Sequence, residues 1–104
     1  MLDSIIIKIK DKEYIVKKSY RSLMLFEEMS GRNIDELKDS VNDLMLLFYC
    51  ILKANNREIF QYSFDEFIDV IDEYPDNVEV FNNYLLGEAK KVEKSPTKKK
   101  QKNQ

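Results

Sequence analysis

The longest apolar run in the chain sets the pattern. Nine consecutive residues, Leu44 to Leu52, are apolar or aromatic. A membrane span needs roughly 20 such residues, so this run is too short to cross a bilayer. It is too long and too rich in Leu and Met for a typical strand, and Ser40 stands where an N-cap belongs. The spacing predicts a helix over 41–55. Val41, Leu44, Met45, Phe48, Ile51 and Leu52 form one stripe, and Leu46, Leu47, Tyr49 and Cys50 cover much of the opposite side. A helix apolar nearly all round is covered on more than one side, by the rest of the chain or by a partner.

Ahead of this run the period changes from helical to alternating. Residues 4–10, SIIIKIK, and 13–18, EYIVKK, predict a β-hairpin turning at Asp11-Lys12. That turn sets Ile9 opposite Tyr14 and Ile7 opposite Val16. Ile5, Ile7, Ile9, Tyr14 and Val16 then share one face, and Lys8, Lys10, Glu13, Lys17, Ile6 and Ile15 share the other. Two strands alone are marginal, so the apolar face is expected to lie on helices.

Further helices are marked by their caps. Ser19 and Gly31 bracket a helix over 20–30, with apolar residues on more than one face. Asn33 and Glu36 have capping-box spacing for a short helix over 34–38. Ser63 and Glu66 repeat that spacing ahead of a helix over 64–74, where Phe64, Phe67, Ile68, Ile71 and Tyr74 make an amphipathic stripe. Pro75 ends it or opens the next helix, expected over 77–93. There Val78, Phe81, Leu85, Ala89 and Val92 form one stripe, with Val80 and Tyr84 offset from it. The expected fold is α+β: a short N-terminal β-hairpin packed on a mostly α-helical bundle of four to five helices. It forms one compact domain over 1–93, followed by a disordered basic tail over 94–104.

Composition narrows the class. A chain of 104 residues with only two Gly and two Pro favours helices with short connections over a many-stranded sandwich. One Cys allows no internal disulfide, and Cys50 lies inside the apolar run, where a structural role is expected. The N-terminus has no signal-peptide pattern, which points to the cytosol. Residues 90–104 carry seven Lys against one Glu, whereas residues 1–89 carry ten Lys or Arg against eighteen Asp or Glu. The body would therefore repel nucleic acid, and only the tail would attract it.

The chemistry the sequence offers is limited. There is no His, so Ser–His and Cys–His catalysis and the common zinc sites are excluded. No Gly-rich phosphate loop is present. Asp65, Glu66, Asp69, Asp72 and Glu73 read as a solvated helix face; they lack the Gly-centred loop of a dedicated calcium site. The Lys-rich tail reads as a solubilising end, a nucleic-acid contact or a contact with an acidic protein. Met24, Met29 and Met45 suit either a core or an adaptable binding surface. No catalytic residue, cofactor or metal site is predicted.

The order IKIKDKEYIVKK, SLMLFEEMSG, LMLLFYCILKANN, YSFDEFIDVIDEYP resembles the tail assembly chaperones of long-tailed bacteriophages over about residues 5–75. That resemblance implies a small, non-catalytic chaperone of the host cytoplasm that binds the tape-measure protein and tail-tube subunits during tail morphogenesis. Independently of it, the chain carries more apolar stripe than one small bundle hides. Leu46, Tyr49, Val80 and Tyr84 are the candidate partner-binding residues, with core packing or self-association as the other reading of each. The alternatives are a small nucleic-acid-associated regulator using the basic tail, or a structural virion or adaptor component.

Overall fold

The computed structural model describes residues 4–93, with side chains placed as far as Gly87. A hairpin of β1 (Ile5–Ile9) and β2 (Lys12–Val16) is followed by α1 (Tyr20–Ser30), a single 3-10 turn at Ile34–Glu36, α2 (Val41–Asn55), α3 (Phe64–Ile71) and α4 (Pro75–Glu93). The class is α+β, as the patterning predicts. The expected disordered tail over 94–104 lies outside the described residues.

The hairpin turns one residue earlier than expected. Lys10-Asp11 is the turn, so Ile7 pairs with Tyr14 and Ile9 with Lys12. The ladder is displaced by two residues, and an even displacement leaves each side chain on its expected face. Alternation therefore cannot distinguish the two registers. The choice is set at Lys10, which adopts a left-handed φ of 57° of the kind that two-residue hairpin turns require. Ile7, Ile9, Tyr14 and Val16 are buried, whereas Ile6 and Ile15 form an exposed cross-strand pair.

Both edges of this ribbon are held by asparagines. Asn56, just past α2, accepts the Ile15 N–H through Oδ1 at 2.9 Å and donates through Nδ2 to the Ile15 carbonyl at 3.0 Å. Asn55 donates to the Lys17 carbonyl at 2.7 Å. On the β1 side, Asn77 donates to the Lys8 carbonyl at 2.8 Å. The Ile15 backbone groups thus point away from β1, and those of its antiparallel partner Ile6 point away from β2.

The helices begin and end where local chemistry permits. Ser19 and Ser22 exchange side-chain bonds with each other's backbone N–H to cap α1. Gly31 closes α1 at φ 74°, its N–H donating to the Glu27 carbonyl at 2.9 Å; a left-handed cap of this kind favours glycine. The 34–38 helix contracts to one turn, where the Asn33 N–H donates to the Glu36 carboxylate at 3.1 Å and the Glu36 N–H to the Asn33 carbonyl at 2.8 Å. The last turn of α3 tightens: Glu73 and Tyr74 donate to carbonyls three residues back. Regular α-helix therefore stops at Ile71 instead of 74. α4 starts at Pro75 instead of 77, because the first helical position needs no N–H donor.

α2 is the central element. Met45, Leu47, Phe48, Tyr49, Cys50, Ile51 and Leu52 are all buried, with α1, β2 and α3 packed around them. The Phe48 ring stacks on Phe81 of α4, with centroids 4.2 Å apart and planes 5° from parallel, and meets Phe67 of α3 edge-on at 5.3 Å. Burying each such ring contributes roughly 1.5–3 kcal/mol. Phe60, in the connection between α2 and α3, is 1% exposed and touches the rings of Tyr14, Tyr49, Tyr62 and Phe67. In α1 only Phe26 and Ser22 are buried; Tyr20, Met24 and Met29 face solvent.

Candidate functional site

The four residues singled out from the sequence fall into two groups. Tyr49 and Tyr84 are buried and belong to the core, the core-packing reading of the two left open for them. Each places its hydroxyl on a backbone group. Tyr49 donates to the Tyr62 carbonyl at 2.8 Å, and the Lys18 N–H donates to the Tyr84 hydroxyl at 3.0 Å. These bonds explain why two tyrosines on otherwise apolar stripes enter the interior: a buried hydroxyl is stable there once it is paired. Leu46 is half-buried against the core, and Val80 is 42% exposed.

The more extensive apolar surface lies elsewhere, between the start of α2 and α4. Leu37, Val41 and Leu44 face Asn82, Leu85 and Leu86 across an open hollow of about 540 Å³. A second hollow of about 520 Å³ is lined by Val41, Leu44, Met45, Ile71, Pro75, Val78 and Asn82. Val41, Leu44 and Asn82 belong to both, so the two form one groove along α4. Val41 is 74% exposed and Leu86 53%, unusually high for aliphatic side chains beside one another. None of the four sequence candidates lines it. Val41 and Leu44 were legible as part of the α2 stripe, but not as its uncovered end; the adjacent pair Leu85-Leu86, too wide for one core-facing stripe, was the available signal.

Charge surrounds this groove unevenly. Among the described residues, Asp39, Asp72 and Glu79 contribute to its lining against one cation, Lys38. The segment carrying Leu37 is fixed by an ion pair that sequence reasoning missed, between residues 11 positions apart. Arg32 donates to both carboxylate oxygens of Asp43, at 3.0 and 2.6 Å, and to the Glu36 carbonyl at 2.8 Å. The Lys38 N–H donates to Asp43 at 2.7 Å. The Arg32 hydrogen bonds, followed by that from Lys38, hold the Asp43 carboxyl below its ordinary pKa. Asp43 thus ties together the end of α1, the 3-10 turn and the start of α2.

Other chemistry is sparse. Burial pushes the Cys50 thiol up to about 12, so it stays protonated at neutral pH. Among the described residues no three His, Cys, Asp or Glu side chains converge on a position that could hold a metal ion. No described helix is long and apolar enough to cross a membrane. What the surface offers is an apolar groove with an acidic border, suited to taking up an apolar ridge. No protein-family model, curated protein or solved structure matches this chain.

Proposed function

We propose that the chain is a non-catalytic phage tail assembly chaperone, which holds apolar helical stretches of the tape-measure protein and brings them to tail-tube subunits in the host cytoplasm. The observation that supports this reading is the α2–α4 groove. From Pro75 to Leu86 it follows α4 for about 16 Å, or three helical turns. That length suits a partner helix presenting apolar residues at i, i+3 or i+4, and i+7. The order of hairpin, capped helices and central apolar helix supplies the resemblance to the phage family.

Co-expression with a candidate tape-measure protein tests the proposal. The wild-type chain is expected to raise the candidate's soluble yield several-fold. Val41→Lys, which puts a charge into the groove lining at an exposed position, is expected to abolish that gain. Equal yields with and without the chain would refute the reading. Recovery of the protein as a stoichiometric part of purified mature particles would favour a structural virion component instead.

A further inference from the structure

The groove has a counterpart on the same molecule. On the outer face of the hairpin, Ile6 and Ile15 are 63% and 45% exposed and directly paired across the strands. Cross-strand partners of this kind stand about 4.5–5.5 Å apart at Cβ, so the two form one apolar ridge. Lys8 shares that face directly opposite Glu13, while Lys10 in the turn and Lys17, two residues past Ile15 and just beyond β2, leave an excess of positive charge at its ends. The ridge is therefore apolar with a cationic border. Among the described residues, the groove is apolar with an anionic border, three carboxylates against one Lys.

We infer that copies of this chain associate head to tail, the Ile6–Ile15 ridge of one copy seated in the α2–α4 groove of the next. Charge complementarity selects this occupant. Lys8 and Lys17 meet Asp39, Asp72 and Glu79, whereas ridge on ridge or groove on groove would oppose like charges. The chain's own tail, KSPTKKKQKNQ, has the positive charge but no apolar side chain to fill the groove. Two different surfaces are used, so the contact is heterologous and each added copy leaves one ridge and one groove open. Such a contact builds a ring or a filament according to its rotation. The inference uses the groove of the proposed chaperone but does not need its client.

Sedimentation of the full chain over a range of concentrations tests it. Wild type is expected to grow beyond the single-copy mass of 12.4 kDa, and less so as salt rises. Ile6→Glu spoils only the ridge, and Leu86→Lys spoils only the groove; each alone is expected to remain a single copy. Mixed in equal amounts they are expected to form a complex of two copies and nothing larger, through the intact ridge of the Leu86→Lys chain and the intact groove of the Ile6→Glu chain. Ile15→Glu and Val41→Lys serve as the second pair if either first variant loses its helical circular dichroism. A wild type that stays a single copy up to roughly 1 mM overturns the inference. So does a variant that associates like wild type, or a mixture that forms no complex. Ile6→Glu should still solubilise a client, so failure of self-association and failure of the chaperone reading give different results.

Discussion

Asn56 holds Ile15 by both of its backbone groups, across 41 residues of sequence. The same carboxamide also donates to the Leu52 carbonyl at 2.9 Å, so it closes α2 and borders β2 at once. Asn56 is 7% exposed, and water cannot readily replace it. Asn56→Ala is expected to destabilise the fold by about 2 kcal/mol or more, since buried groups are left unpaired. Asn56→Asp should be at least as damaging at neutral pH, because a carboxylate can accept the Ile15 N–H but faces the Ile15 and Leu52 carbonyls without a donor. Urea denaturation and faster hydrogen exchange at the Ile15 amide are the measurements; an unchanged midpoint would show that the clip contributes nothing.

Phe81 joins α4 to the rest. Its ring is fully buried on Phe48. Phe81→Ala should cost roughly 3–5 kcal/mol, a large part of the stability of a domain this size. Phe81→Leu should cost less, because it refills most of the volume. Thermal unfolding followed by circular dichroism would reveal the order; equal losses for the two variants would mean that volume is not what matters there.

The Arg32–Asp43 pair predicts a pH dependence. Asp43 has a lowered pKa in the fold against an ordinary value of 3.8. Its contribution to stability is therefore full above about 3.8 and declines as pH falls through the lower folded value. Wild type should be more stable than Asp43→Asn at pH 6, and the difference should shrink below about 3.8. Denaturant midpoints for both proteins between pH 6 and pH 2 provide the check. A gap that stays constant across that range would mean the carboxylate's charge is irrelevant.

Gly87 lies within α4, and a Cβ built there meets nothing within 4 Å. Gly87→Ala should stabilise the protein by about 0.5–1 kcal/mol, chiefly by restricting the unfolded chain. A loss of stability would reveal a contact at this position that the fold does not show.

Cys50 supplies a probe of α2. It is fully buried, and its thiol is shifted up to about 12. A thiol reagent at neutral pH should label it only as fast as the core opens, and quickly once denaturant is added. Prompt labelling of the native protein would contradict the enclosed position of this side chain.

Much of this architecture was written locally. The caps at Ser19, Gly31, Ser40 and Ser63 act within three or four residues of themselves, so they could be read from sequence, and α1 and α2 lie where those caps place them. The hairpin faces were equally legible, since Ile7, Ile9, Tyr14 and Val16 alternate without exception. What escaped was non-local or degenerate. Two hairpin registers share the same faces. Asn56 gave no signal of its role, because its partner is 41 positions away. Arg32 and Asp43 gave no periodic signal. Tyr49 and Tyr84 were as compatible with a surface as with the interior until backbone partners for their hydroxyls were located. The groove was hardest to foresee, because the stripe on α2 does not reveal which of its two ends the other helices leave uncovered.

The knot of bonds at Asp43 also bears on how any occupant would be received. Leu37 and Val41 flank a segment whose path is already dictated by Arg32, Glu36 and Lys38. Its disorder is therefore lost when the chain folds and not when a ligand arrives. An incoming ridge meets a preset wall, and little of the association free energy is diverted to shaping it. Loosening that wall through Arg32→Ala should leave the groove chemically unchanged yet weaken its grip, mainly through a larger entropic penalty on binding.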